Sequence, residues 1–131
     1  MNLPTLATDL SRELGSLGIK AEPGEIERDA LRLNCDGFVI RGVIDRGRIR
    51  WQGFAPTCDI LHYSERPMLN DSSTAVDAPV KRIAKQLAQK IVEPAREPLA
   101  IYAEKIAAMR ARIAALPAAM ESVRAFGFTV H

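Results

Sequence analysis

The chain has 131 residues, which is enough for one domain whose core needs no disulfide bonds. Its net charge of +2 excludes a histone-like or polybasic composition, and an aromatic fraction of 5% leaves Leu, Ile, Val and Ala to fill the core. No apolar run reaches the length of a membrane span, and residues 1–14 lack the basic and apolar regions of a signal peptide. The sequence therefore predicts a cytoplasmic protein that does not enter a membrane.

The first half of the chain predicts a short helix and an antiparallel meander. Residues 4–17 place leucines at near-helical spacing after Pro4, which suits a first helical turn. Three later segments alternate apolar and polar residues, as half-buried strands do. These segments are residues 30–34, 38–44 and 48–54. The pair Asp36-Gly37 predicts a type I′ turn between the first two strands, a turn that needs positive φ at both central residues.

The segments on either side of the meander are less regular. Residues 19–23 predict a short edge strand, and residues 68–70 predict a short fourth strand. Residues 70–74 are polar and predict a connector without regular structure. The expected meander has three strands, or four if residues 68–70 join it.

The rest of the chain predicts two helices. Residues 80–92 carry apolar side chains at the i, i+3, i+4, i+7 spacing of one helical face, with Asp77 as the expected N-cap. Pro94 and Pro98 predict a break, because proline cannot donate a helical hydrogen bond. A long Ala-rich helix follows the break.

The expected fold class is α+β. Its elements are an N-terminal helix, an antiparallel meander of three to four strands and two C-terminal helices. Residues 1–75 would form the helix and sheet, and residues 76–131 a helical hairpin packed on them. Together they would make one structural domain.

The last helix carries apolar residues separated alternately by three and four positions, which is the a/d seam of a coiled coil. The seam consists of Leu99, Tyr102, Ile106, Met109, Ile113, Leu116, Met120 and Val123. Pro117 interrupts it and predicts a kink. The seam either closes the hairpin against residues 80–92, which we favour, or forms a homodimer through its residues from Leu99 to Leu116.

Catalytic chemistry has one candidate in the sequence, the set of Cys58, Asp59 and His62. A thiol nucleophile needs an imidazole within hydrogen-bond reach and a third group that orients it, and proximity in sequence supplies neither. Cys35 and Cys58 form no CxxC pair, and the chain has no metal-ligand spacing or phosphate-binding glycine motif. We therefore expect no enzymatic activity, no metal and no cofactor, and an enzyme built on Cys58 is the least favoured hypothesis.

Two sets of basic residues are the candidate partner-binding sites. Arginines fall on the polar face of the predicted strands, and the polar face of the 80–92 helix is basic, with no glutamate four positions before its charges. The candidate residues are Arg32, Arg41, Arg48, Arg50, Lys81, Arg82 and Lys85. Guanidinium groups bind carboxylates and phosphates bidentately, so an acidic protein or a nucleic acid suits the arginines. The interpretation that we favour is plainer: helices cover this face, or Glu25, Glu27 and Asp29 pair with it.

Residues 61–97 resemble a segment of small accessory proteins of bacterial temperate phages and prophages. The shared pieces are a Tyr-Ser-Glu turn, a short polar strand, a helix with a hydrophobic-Ala-Lys step, and a proline before a long Ala-rich helix. In this sequence the matching residues are Tyr63-Ser64-Glu65, Asp77, Ile83-Ala84-Lys85 and Pro94. The resemblance brings no active site, and it implies a phage protein that acts by binding, as anti-CRISPR inhibitors of host defence complexes do. We therefore expect binding to a protein partner, with nucleic-acid binding as the alternative.

Overall fold

A computed structural model describes residues 2–58 and 66–125, with side chains through residue 116. In chain order its elements are α1 (Leu3–Ser16), β1 (Ala21–Ile26), β2 (Ala30–Cys35), β3 (Phe38–Asp45), β4 (Arg48–Phe54), β5 (Met68–Ala75), α2 (Val80–Leu87), a π-helical turn (Ala88–Val92) and α3 (Glu93–Ala125). The helix, antiparallel sheet and C-terminal helices confirm the expected α+β class.

The five strands form one antiparallel sheet in which each strand pairs with its neighbours in sequence. Alternate residues of a strand point to the same face of a sheet, and the fully buried residues of β2, β3 and β4 share one face. They are Leu31, Leu33, Ile40, Ile49 and Trp51. On this side α1 packs against β1, β2 and α2, and the π turn packs against β4 and β5. The core therefore lies between this inner face and a layer of helices.

The expected count of three to four strands is corrected to five, because both β1 and β5 pair with the meander. Residues 70–74, expected to be a connector, lie inside β5, where their hydroxyl groups find partners. Trp51 Nε1 donates a hydrogen bond to Thr74 Oγ1 at 2.9 Å, and Gln86 Nε2 donates to Ser72 Oγ at 2.7 Å. The polar composition therefore marks a strand whose inward side chains bond to polar groups in the core, and alternation of apolar residues cannot reveal it.

The two tight turns of the meander differ in type. Arg46 and Gly47 have φ angles of 52° and 77°, so the turn between β3 and β4 has the positive φ at both central residues that type I′ requires. At the turn between β2 and β3, Gly37 has a φ of 82° and Asp36 has no positive φ. The hairpin expected at Asp36-Gly37 is present, but its type I′ assignment was wrong.

Helical structure begins at Val80, with Pro79 rather than the expected Asp77 at the N-cap. The break expected near Pro94 and Pro98 is absent, because the described backbone stays helical from α2 through α3. Proline cannot donate the i to i−4 hydrogen bond, and the wider π turn that ends just before Glu93–Pro94 accommodates the missing bond.

The helical hairpin expected over residues 76–131 would need a reversal of chain direction. The described backbone contains no reversal between Val80 and Ala125, and Pro117 lies inside α3 without ending it. The heptad seam therefore does not fold back against α2.

The helix α3 begins on the body of the domain and then extends beyond it. It has 33 residues, which corresponds to about 50 Å at 1.5 Å per residue. Ala95 and Tyr102 are buried, and the Tyr102 hydroxyl donates to the carbonyl oxygen of Pro56 at 3.1 Å. Residues 110–116 are all exposed, so the described side chains of this stretch have left the core.

Candidate binding face of the sheet

The face of the sheet opposite the helices is the open face. It carries the side chains of Arg32, Val39, Arg41, Val43, Arg48, Arg50, Gln52, Phe54, Met68, Asp71 and Ser73. Every one of these residues is exposed or partly exposed, because the described helices pack on the other side. The structure thus brings the four predicted arginines together on one solvent-facing surface. The expectation that helices cover them does not hold for the described part of the chain.

The strand register places the arginines in a defined pattern. Arg32 lies directly opposite Arg41, which lies opposite Gln52, and Gln52 lies opposite Asp71 on β5. Two like charges directly opposite each other destabilise a sheet. The carboxylate of Glu27 offsets this repulsion, since its Oε2 lies 3.0 Å from an Arg41 guanidinium nitrogen. The expected pairing of this acidic segment with the arginines is therefore present at one position.

Arg48 is held flat against β5 by hydrogen bonds to a single residue. Its Nε donates to Ser73 Oγ at 2.8 Å, and a terminal nitrogen donates to the Ser73 carbonyl oxygen at 3.2 Å. Within residues 2–58 and 66–125, Arg32 and Arg50 lie in no ion pair closer than 4.0 Å. These two guanidinium groups keep donors available for an external carboxylate or phosphate.

Acidic side chains balance the positive charge of the open face. Asp45 lies opposite Arg48, Asp71 lies opposite Gln52 and diagonal to Arg50, and Glu22 and Glu27 lie along β1 and the turn after it. Four carboxylates therefore lie on or beside the same face as the four arginines, and Glu27 forms an ion pair with one of them, Arg41. The surface has mixed charge.

The open face also carries an exposed apolar pair that periodicity alone did not identify. Phe54 at the end of β4 lies directly opposite Met68 at the start of β5, and Phe54 also lies opposite Val39 on β3. Phe54 is 36% exposed and Met68 is 91% exposed. Alternation along β4 places Phe54 on the arginine side, but the partner Met68 depends on the pairing of β5 across a long connection. A large exposed apolar pair of this kind marks an interaction site more strongly than a single exposed side chain does.

Between these groups the open face has a shallow depression of about 470 Å³. Arg41, Arg50, Phe54 and Asp71 line it, together with Val43, which lies directly opposite Arg50. A ligand in this depression meets positive, negative and apolar groups within a few residues of one another.

The predicted lysines of the basic helix lie on a different surface. Lys81 and Lys85 line a groove of about 640 Å³ between α1 and α2, together with the acidic residues Glu13 and Glu93. Arg82 is exposed on the same helix. Because α2 packs on the inner side of the sheet, its basic residues do not share a surface with the open face. The candidate residues therefore divide into two separate groups.

The thiols supply little that points to catalysis. Cys58 is half-buried, and the other two members of the catalytic candidate, Asp59 and His62, lie outside the described residues. Burial raises the pKa of the Cys35 thiol to about 11, so this group stays protonated and unreactive near neutral pH. The described residues contain no cluster of three His, Cys, Asp or Glu side chains that can hold a metal ion. None of the described helices is both long and apolar enough to cross a membrane.

No protein-family model, curated protein or solved structure matches this chain. The geometry of the open face is therefore the basis for its functional assignment. The resemblance of residues 61–97 to phage accessory proteins stays a prediction, and its Tyr-Ser-Glu turn lies outside the described residues.

Proposed function

We propose that this protein binds a protein partner through the open face of its sheet and has no enzymatic activity of its own. The observation that carries the proposal is the combination of the exposed Phe54–Met68 pair with a charge-balanced set of arginines and carboxylates. Protein interfaces are enriched in aromatic residues, methionine and arginine, and their apolar centre is surrounded by a polar rim. The open face has this composition.

The mixed charge of the open face favours a protein ligand over a polyanion such as nucleic acid. Nucleic-acid affinity comes mainly from the phosphate backbone, so it requires a surface of net positive potential. On the open face Asp71 lies diagonal to Arg50 across the strand pair, and Glu27 forms an ion pair with Arg41. A protein partner can carry charges of both signs that complement this face. Such complementarity increases specificity for one partner and fixes the register in which it docks.

The resemblance to phage accessory proteins supports a specific context for this binding. It suggests a host or phage protein as the partner, in the cytoplasm of a bacterial host. Inhibition of a host defence complex, as by an anti-CRISPR protein, would be the consequence of binding.

The proposal is tested by site-specific photo-crosslinking. A photoreactive amino acid replaces Gln52 in the open face, or the exposed Arg12 on α1 as the matched control, and each protein is irradiated in nuclease-treated bacterial lysate. We expect a protein cross-linked from position 52 and not from position 12, and its loss when Phe54→Ser and Met68→Ser are added. The identified protein is then purified and its affinity for the same variants is measured. Equal cross-linking from both positions, or no effect of the two serine substitutions, would contradict the proposal.

Nucleic-acid binding is the second candidate, and one observation favours it. Arg41 and Arg50 line the same depression as Phe54, an aromatic ring on which a base can stack. The test is binding to labelled duplex DNA, single-stranded DNA and RNA across a salt series. Affinity that falls linearly on a log–log plot, and is lost in an Arg48→Glu/Arg50→Glu variant, would assign the face to nucleic acid. Absence of binding at low salt would remove this candidate.

A further inference from the structure

We propose that the part of α3 that extends beyond the domain, residues 106–116, docks an acidic amphipathic helix of a partner protein and forms a heterotypic coiled coil with it. This surface is separate from the open face, and the inference does not depend on the proposed function. Its basis is an exposed heptad seam whose flanking positions are all basic or uncharged.

The apolar positions of the seam continue beyond the point at which α3 leaves the body of the domain. Tyr102 is buried in the body, whereas Ile113 is 45% exposed and Leu116 is 57% exposed. Between them, Ile106 and Met109 are half-exposed and continue the same three–four spacing. Described residues thus present an apolar stripe on a helix that extends away from its own core.

A groove at the base of α3 continues the stripe onto the domain. It has a volume of about 570 Å³ and lies beside the turn between β2 and β3, with Phe38, Leu99 and Ile106 in its lining. Ile106 belongs both to this groove and to the exposed seam. A second helix can therefore lie along α3 with one end in the groove.

The charges beside the seam determine which charges the partner helix must carry at its positions e and g. With Ile106 and Ile113 at position a and Met109 and Leu116 at position d, the charged e and g positions of this stretch are Lys105, Arg110 and Arg112. All three side chains are exposed. Because e and g residues face the partner across the seam, these cations select glutamate or aspartate at the same positions of the other helix.

The same charges exclude a second copy of this chain along the seam. In a parallel pair, each Lys105 would face Arg110 of the other copy, because position g pairs with the following position e. In an antiparallel pair, g faces g and e faces e, so cations again meet cations. Both orientations of the homodimer, the alternative to the expected hairpin, therefore place like charges together, which selects against it.

A lipid surface is the other environment that suits a basic amphipathic helix. Helices that lie in the membrane interface carry tryptophan or phenylalanine at the lipid boundary. Residues 103–125 contain no aromatic residue and are rich in alanine. The three–four spacing and the alanines favour close packing against another helix.

Binding of two synthetic peptides to the full chain tests the inference. Both peptides carry isoleucine and leucine at positions a and d, and one has glutamate and the other lysine at every e and g. We expect the glutamate peptide to bind at least about tenfold more tightly than the lysine peptide, measured by fluorescence anisotropy. Ile113→Ser/Leu116→Ser should abolish this binding, and Arg110→Glu/Arg112→Glu should reverse the preference. Ala108→Ser/Ala111→Ser, on the opposite side of α3, is the matched control and should leave binding unchanged.

Three results would overturn the inference. The first is equal binding of the two peptides. The second is a dimer of the chain alone in sedimentation that Ile113→Ser/Leu116→Ser dissociates, because the seam then binds a second copy. The third is binding to vesicles of phosphatidylcholine and phosphatidylserine without binding to the glutamate peptide. A Phe54→Ser/Met68→Ser variant should keep its full affinity for the glutamate peptide, so failure of the open-face proposal is distinguishable from failure of this one.

Discussion

Replacing Gly42 with alanine tests whether the core depends on a close contact between β3 and the only tryptophan. Gly42 lies directly opposite Trp51 in the sheet, and the indole ring crosses the space that a side chain at residue 42 would need. A Cβ atom there would lie 2.5 Å from Cζ3 and 2.6 Å from Cε3 of the ring. Both distances are shorter than carbon–carbon contact permits, so the ring or the backbone must move.

The cost follows from how firmly the ring is held. Trp51 is fully buried, and its Nε1 bonds to Thr74 Oγ1, a residue only 4% exposed. Overpacking a dense core costs about 1–3 kcal/mol of unfolding free energy. If the ring moves far enough to break the Thr74 bond, the unsatisfied N–H adds about 1–3 kcal/mol. We therefore expect Gly42→Ala to destabilise the protein by roughly 3 kcal/mol.

Urea unfolding followed by circular dichroism and by Trp51 fluorescence measures this change. Gly15→Ala is the matched control, because Gly15 lies in α1 and a Cβ atom added there would meet no other atom within 4 Å. Alanine should stabilise the helix at this position by up to about 1 kcal/mol. In a Trp51→Leu background, followed by circular dichroism alone, Gly42→Ala should cost less than it does in the parent, since the smaller side chain leaves space. A Gly42→Ala protein within about 0.5 kcal/mol of the parent would refute the close-contact reasoning.

Substitutions at three further positions test the polar strand, the tight turn and the buried thiol. Thr74→Val should cost about 1–3 kcal/mol and alter Trp51 fluorescence, whereas Thr74→Ser should retain the hydrogen bond; equal stability of the two variants would contradict the assigned role. Arg46→Gly should raise the free energy of unfolding by up to about 1 kcal/mol in urea titration, because Arg46 holds a φ of 52°; a loss would show that the side chain matters more than the backbone. The pKa of the Cys35 thiol rises from 9.0 to about 11 on burial, so the unfolded chain ionises first and stability falls as pH rises through this window. Relative to Cys35→Ala, the parent should lose stability from about pH 9 to about pH 11 in urea titrations, and parallel curves for the two proteins would contradict the burial of the thiol.

The elements that the sequence predicted well are those with strong local periodicity. Alternation located β4 at its observed bounds, Arg48–Phe54, and β2 and β3 to within a residue at their C-terminal ends. The inward-facing leucines and Trp51 were on the expected face. In these segments the side chains that define the pattern are also the ones that the core buries, so local sequence is sufficient.

Predictions failed where a local signal was outweighed by contacts elsewhere in the fold. The polar residues of β5 have the composition of a loop, but Trp51 and Gln86 donate hydrogen bonds to them and hold them in a strand. Pro94 and Pro98 resembled a break, yet the helix continues through both prolines, with a π turn ending two residues before Pro94. Both outcomes depend on partners that lie far along the chain or on a change of helical geometry that no residue type specifies.

The features of the candidate binding surfaces also divide into those that follow from local sequence and those that depend on packing. Local sequence was sufficient to place the arginines on one face of a meander and a heptad seam on the last helix, because each follows from a fixed repeat of side-chain direction. The packing of distant segments places all the described helices on the opposite face of the sheet. It also places Met68 against Phe54, and Lys81 and Lys85 on a different surface from the arginines. Side-chain direction repeats along a single element, whereas the side of the sheet on which a helix packs depends on burying apolar surface contributed by distant segments.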